Sequence, residues 1–405
     1  MIKRYIVREN YLNKIKPYMD KDVIKVIVGQ RRVGKSYMLL QIMDLIKGKN
    51  PNANIIYIDK ELHKFEEVKD QQSLLKYIEG KTKKTKSRNY LFIDEIQDIK
   101  NFEKALRSLK ATGRYDIYCT GSNANLLSGE LSTYLSGRYI EIEIHSLSYI
   151  EFLKFHQLKE SEDSFLKYIK YGGLPYLIHL DLEDTIVYDY LKNINNTILF
   201  KDIISRFNVR NVAFLEKLVE YTADNIGSLV SAKKISDFLK SQKINMSPNV
   251  VIDYLSYLCT AFFIHKVSRQ DIKGKKIFEI NEKYYFEDLG LRHSIIRYNQ
   301  TDINKVLENM VFNHLKISGY NVKIGQLDKK EIDFVCEKDG EKMYVQVAYI
   351  ITEQNKDREF GNLLEVPDNY PKIVISTDTL VGVDSYKGIK HLNIRKFLIG
   401  SGDRI

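Results

Sequence analysis

Val23-Ile24-Lys25-Val26-Ile27-Val28-Gly29-Gln30-Arg31-Arg32-Val33-Gly34-Lys35-Ser36 joins a short run, apolar but for one lysine, to a loop that opens and closes on glycine. The run has the length and β-branched content of a buried parallel strand. From Gly29 to Ser36 the sequence matches G-x-x-x-x-G-K-[ST] at every fixed position. Residues 37–47 then carry apolar side chains at helical spacing (Leu39, Leu40, Met43, Ile46) up to Gly48. The chemistry requires this order. Glycines let the backbone turn so tightly that successive N–H groups point inward at phosphate oxygens. Gly29, Arg32, Val33 and Gly34 supply that turn, Lys35 reaches the outer phosphates, and the Ser36 hydroxyl is a magnesium ligand. The expectation is an ATP site with Mg2+ at the start of an α/β domain.

A second strand, Tyr90-Leu91-Phe92-Ile93, runs into Asp94-Glu95. Two carboxylates at a strand end suit this site: Asp94 to hold magnesium, Glu95 to polarise the attacking water. Residues 54–59 and 138–144 read as further strands. Residues 115–119 form another, which ends in Thr120-Gly121-Ser122-Asn123. Helical stretches at 71–77 and 102–110 interleave with them, which predicts a doubly wound α/β domain.

Composition narrows the class. At 405 residues the chain needs two or three domains, and its 44% apolar and 29% charged content is that of a globular protein. No apolar run approaches the ~20 residues that span a bilayer, and Met1-Ile2-Lys3-Arg4 does not open a signal peptide. Cys119, Cys259 and Cys336 show neither metal-ligand spacing nor a disulfide framework, so a cytoplasmic protein without a membrane partner is expected. The net charge of +10 fits a nucleic-acid partner, and equally the Lys-, Ile-, Asn- and Tyr-rich usage of AT-rich codons.

The Gly29 to Ser36 loop, Ile93-Asp94-Glu95-Ile96-Gln97, Gly121-Ser122-Asn123 and Tyr171-Gly172-Gly173-Leu174-Pro175 together resemble a group of bacterial and archaeal AAA+ ATPases related to the STAND proteins. The resemblance spans essentially the whole chain. It implies a P-loop ATPase domain (1–147), a helical lid with a winged-helix domain (148–290), and a C-terminal domain similar to PD-(D/E)xK nucleases (291–405). It also implies that Asn123 or Ser122, with Thr120 behind them, touches the γ-phosphate or the water. Arg138, after Leu135-Ser136-Gly137, is implied to act on a neighbouring subunit's nucleotide; an exposed arginine at a strand start is the alternative.

Ser148 and Glu151 form a capping box, with Leu147 and Phe152 as its hydrophobic staple, so a helix starts there. Lys201, Arg206 and Arg210 fall on one helical stretch, as a phosphate-facing set or a solvated face. Residues 212–288 read as a winged helix: a helix over 212–224, one capped by Ser231, a third opened by Ser247-Pro248, and a hairpin turning near Gly274. The third helix carries no Lys or Arg between Ser247 and Ile264, which argues against major-groove reading. Arg269, Lys273, Lys275 and Lys276 load the expected wing instead.

Near the C-terminus a helix bearing Glu308 precedes two strands joined by Asp339-Gly340, a two-residue hairpin turn. Pairing Lys338 with Glu341 sets Asp333 opposite Gln346 and Glu331 opposite Ala348. A PD-(D/E)xK nuclease uses a helix Glu, a strand Asp and a Glu-x-Lys across the hairpin. Here the last motif is Gln346-Val347-Ala348, so Glu308, Asp333 and Gln346 form a degenerate site lacking a carboxylate and the lysine. Glu331 and Lys342, on the same face, are the available substitutes. The functions that follow are an ATPase acting without sequence specificity on nucleic acid, a nucleotide-dependent switch binding a protein partner or a second copy, and an ATP-gated nuclease.

Overall fold

The computed structural model describes residues 5–83, 88–127, 137–274, 277–378 and 385–400. Lys275, Lys276, Leu135, Ser136 and the four N-terminal residues lie outside these. The chain forms two compact units, residues 1–145 with 260–262 and residues 146–259 with 263–405.

The first unit is built on five strands: β1 (Ile24–Val28), β2 (Asn54–Asp59), β3 (Asn89–Asp94), β4 (Tyr115–Gly121) and β5 (Tyr139–Glu143). All pair in parallel, in the order β2-β3-β4-β1-β5. Helices α1 (Glu9–Ile15), α2 (Lys35–Lys49), α3 (Gln71–Lys81) and α4 (Phe102–Ala111) accompany them. α4 buries Phe102, Ala105, Leu106 and Leu109, the i, i+3, i+4, i+7 stripe that packs a helix on a sheet. α3 is started by a capping box between Asp70 and Ser73. One core joins Ile24, Val26 and Val28 of β1 with Leu91, Ile93, Ile117 and Cys119 of β3 and β4. Lys25 interrupts this apolar run. Its ammonium bonds Asp116 on the adjacent β4, and both side chains are fully buried. Burial pushes the Lys25 pKa down, and Asp116 opposes that shift. Asp116 also accepts from the Tyr118 hydroxyl at 2.8 Å and the Asp20 N–H at 2.9 Å, so its oxygens are fully engaged.

The second unit begins with helices α5 (Tyr149–His156), α6 (Glu162–Tyr171), α7 (Asp184–Thr197), α8 (Val212–Asp224), α9 (Ala232–Ser241) and α10 (Pro248–Thr260). The Ser148–Glu151 capping box and the Ser231 cap are present. Arg206 pairs with Asp202 at 3.4 Å. The hairpin β6 (Ile264–Asp271) and β7 (Ile277–Phe286) leads to α11 (Leu289–Ile296) and α12 (Ile303–Ile317). The remaining strands are β8 (Asn321–Leu327), β9 (Lys330–Lys338), β10 (Glu341–Val347), β11 (Lys372–Ser376), β12 (Ser385–Tyr386) and β13 (Ile389–Asn393). Between them lies α13 (Lys356–Leu364), and α14 (Ile394–Leu398) follows.

The Tyr171-Gly172-Gly173 stretch lies against residues 288–290. A Cβ on Gly172, whose φ is 73°, would come within 2.3 Å of the Asp288 carboxylate, and one on Gly290 within 2.0 Å of the Tyr171 carbonyl. Gly173 N–H donates to Asp288 at 2.7 Å, which gives the glycine pair its physical reason.

The hairpin expected as a wing has a different place. β6 pairs in parallel with β8, so β6 and β7 form one edge of an eight-stranded mixed sheet, β12-β13-β11-β10-β9-β8-β6-β7. Lys283, Tyr284, Tyr285 and Phe286 are all buried, so this end of β7 is part of the sheet and not of a solvent-exposed wing. Lys273 is tied to Asp328 at 2.7 Å.

Removing Asp116 strands a buried ammonium. Asp116→Ala is expected to cost about 3–5 kcal/mol in urea unfolding, with most of the loss recovered in Lys25→Met/Asp116→Leu. A loss below ~1 kcal/mol would show that the pair does not seat β1 against β4.

Candidate functional site

Because the five strands are parallel, Val28, Asp94 and Gly121 end on one edge of the sheet, where open α/β sheets bind ligands. The loop after β1 holds three left-handed positions, Gly29 (φ 146°), Arg32 (φ 74°) and Gly34 (φ 100°). At Gly29 no side chain fits: a Cβ would meet the Ile144 carbonyl oxygen at 2.2 Å. Gly34 caps α2 without any side-chain bond, so the cap leaves the amides of the first turn to a ligand. Lys35, buried, donates to the Gly29 and Gln30 carbonyls at 3.1 and 3.0 Å and stands 3.8 Å from Glu95. Val33 is buried and Arg32 exposed. Behind the loop, Arg8 donates to the Val33 carbonyl at 3.1 Å and the His145 carbonyl at 2.9 Å.

Two carboxylates and a hydroxyl complete the edge. The Thr120 hydroxyl donates to Asp94 and accepts the Glu95 N–H at 2.9 Å, so one buried side chain orients both acids. Burial pushes the Asp94 pKa up, while bonds from Ser36 and Thr120 pull it back. Glu95 sits in a left-handed conformation (φ 53°), a strained geometry for a side-chain-bearing residue. Burial works against its charge too, yet Lys35, a bond from Gln97, Arg31 and Ser122 together hold it below its ordinary value. Glu95 is therefore a carboxylate at neutral pH.

Ser36, Lys35, Asp94 and Glu95 are thus brought together. Of the residues after β4, Ser122 bonds Glu95, and the Asn123 carbonyl accepts the Leu126 N–H. Arg138 is not brought to this edge. Its carbonyl accepts the Ile24 N–H and it precedes β5, so the parallel pairing puts it at the other end of the sheet, with its charge near Asp22.

The donor set suits a magnesium nucleotide. Loop amides and Lys35 match phosphate, while Ser36 and Asp94 are hard oxygen ligands. Gln30, fully buried in the loop, has neither its amide oxygen nor its nitrogen bonded among the described residues. The bracing by Thr120, Gln97 and Arg8 was not read from the sequence. The sequence marks Thr120 only as a polar residue at a strand end, and Gln97 only by its short spacing from Glu95.

In the second unit the hairpin register is the one its turn dictates, from Glu341↔Lys338 to Val345↔Phe334. Asp339 and Gly340 both have positive φ, as a two-residue turn of this hand requires. Gln346 accordingly comes beside Asp333, its amide oxygen 3.4 Å from the Asp333 N–H, and Asp333 accepts the Val347 N–H at 2.8 Å. Glu308 accepts from the Tyr285 hydroxyl at 2.5 Å. Lys342 pairs instead with Glu337 at 3.6 Å. The cation among these acids is Lys283 of β7, bonded to Glu308 at 2.8 Å and Glu331 at 2.7 Å. Lys283 stands in Glu282-Lys283-Tyr284-Tyr285, and the period of two puts it on the face of Tyr285.

Comparison with known proteins agrees with this architecture. The AAA domain family matches residues 21–153, and a domain of unknown function (DUF8612) matches residues 162–302. The Walker-type ATPase PABY2304 of Pyrococcus abyssi is similar in fold, with a TM-score of 0.50 at 15% identity over 72% of this chain and 96% of that one. An uncharacterized protein of Haemophilus influenzae is 40% identical over 383 residues, covering 93% of this chain and 94% of that protein. Uncharacterized protein MJ1544 of Methanocaldococcus jannaschii is 32% identical over 352 residues, 83% of this chain and 77% of that protein. The chain belongs to the family of these Haemophilus and Methanocaldococcus proteins, with residues 21–153 similar to the AAA domain family.

Proposed function

We propose that this chain is a Mg2+-dependent ATPase whose turnover drives a conformational change in residues 146–405 and which acts on nucleic acid without sequence specificity. The observation that carries the ATPase reading is the set Ser36, Asp94, Thr120, Glu95 and Lys35, joined by hydrogen bonds and one ion pair at the edge of a parallel sheet. Bound Mg2+ and ATP supply the phosphoanhydride and the charge that neutralises it, with Ser36 and Asp94 to hold the ion. Lys35 exchanges two backbone carbonyls for phosphate oxygens. Glu95, kept ionised, accepts a proton from water, and Thr120 holds its backbone in the strained turn that aims it. The nucleic-acid part is supported by the net charge of +10; the absence of Lys and Arg from the third helix argues only against base reading by that helix.

Lys35→Ala is expected to weaken ATP binding by about 10–100-fold in a folded protein, measured by titration calorimetry. Glu95→Gln keeps shape and loses charge, so it should still bind ATP yet turn over at least ~100-fold more slowly. Unchanged affinity in the first or unchanged turnover in the second removes the ATPase reading. Thr120→Val should lower kcat on the order of 10-fold with little change in KM for ATP, and Thr120→Ser should restore it. An equal loss in both would show a merely steric role. Single-stranded, duplex and branched DNA and RNA are expected to raise ATP turnover, with binding that weakens steeply as salt rises. Turnover indifferent to all of them would favour a protein partner instead.

A further inference from the structure

Lys283, Glu308, Glu331 and Asp333 come from three different elements: β7, α12 and β9. Lys283 is 3% exposed. Its ammonium lies 2.8 Å from a Glu308 oxygen and 2.7 Å from a Glu331 oxygen, and carries the attraction of Asp333 as well. Each acid also has its own place. Glu308 accepts from the Tyr285 hydroxyl, and Asp333 accepts from the Val347 N–H. Gly227, at φ 68°, closes another side: a Cβ there would stand 3.2 Å from both Glu308 oxygens. A cation coordinated by carboxylate oxygens from two or three elements is how a divalent ion is bound. Here the chain provides that cation itself.

We propose that Lys283 is the internal counter-ion of this cluster, standing where a divalent cation would be coordinated, and that it keeps Glu308, Glu331 and Asp333 from binding one. The lysine absent after Gln346-Val347 is thus not replaced as a water-activating group. An ammonium held at 2.8 and 2.7 Å by two carboxylates occupies the position between them that a metal ion would need. The cluster works as an ionic clasp joining β7, α12 and β9. Removing the positive charge takes the counter-ion from Glu308 and Glu331 beside Asp333, and an external divalent ion becomes the remedy.

The test uses the full-length protein without nucleotide, with Mn2+ as the probe. Binding is followed by electron paramagnetic resonance and stability by thermal unfolding. Wild type and Glu308→Gln are expected to take up Mn2+ alike, because neither offers a site here. Lys283→Met should unfold several degrees lower than wild type. It should gain one Mn2+ per chain that is lost in Lys283→Met/Glu308→Gln, and Mn2+ should raise its Tm but not that of wild type. Lys283→Gln, which keeps a hydrogen-bond donor, serves if the methionine variant does not fold. Mn2+ uptake by wild type that disappears in Glu308→Gln overturns the proposal, and this arm decides even if both lysine variants are unfolded. A folded lysine variant that gains no Mn2+ overturns it equally.

Discussion

β1 bonds in parallel to β4 on one side and to β5 on the other, so Val28 runs out beside Gly121 and Glu143. Given that register, the chain leaving β1 has to turn within the space beside Ile144, which only a glycine at position 29 allows. The parallel register of β3 on β4 delivers Asp94 and Thr120 to neighbouring strand ends, close enough for one hydroxyl to bond both the aspartate and the next backbone amide. The nucleotide site is in this sense a property of strand alignment. At the other end of β1 a buried ion pair, Lys25 with Asp116, ties it to β4, where a slip would separate two charges that have no access to water.

Some of this was open to reading in the primary structure. The loop from Gly29 to Ser36 and the strand ending in Asp94-Glu95 are contiguous, so their meaning survives without three-dimensional context. Asp339-Gly340 sets its hairpin register because the turn and both strands lie within a few residues of each other. Thr120 and Lys283 were not readable in the same way. Thr120 matters because a parallel sheet puts β4 next to β3, and Lys283 because β7 packs beside α12 and β9. Neither relation leaves a mark at short sequence distance. The β6–β7 hairpin misled for a related reason: its local pattern is that of any antiparallel pair, and only its parallel contact with β8 assigns it to the larger sheet.

Both units place a lysine in the interior and satisfy it with carboxylates from another strand or helix. For Lys25 burial prevails over its bonded partner Asp116 and lowers its pKa. Lys283 is also opposed by burial, but the charges of Glu308, Asp333 and Glu331 outweigh it and hold the ammonium well above its ordinary range. The two lysines thus shift in opposite directions, Lys25 with the charge of Arg88 adding to burial and Lys283 with three acids set against it.

Arg8 reaches the phosphate loop from a segment that precedes the AAA match at residue 21. Its guanidinium fastens the Val33 and His145 carbonyls together, over the ring of Tyr11 at 4.5 Å. The hydrogen bonds that brace the loop therefore begin upstream of the border that family similarity draws. A fragment cut at residue 21 for biochemistry would keep every signature residue and lose the strut behind them, and poor nucleotide affinity in such a fragment would describe the cut and not the enzyme.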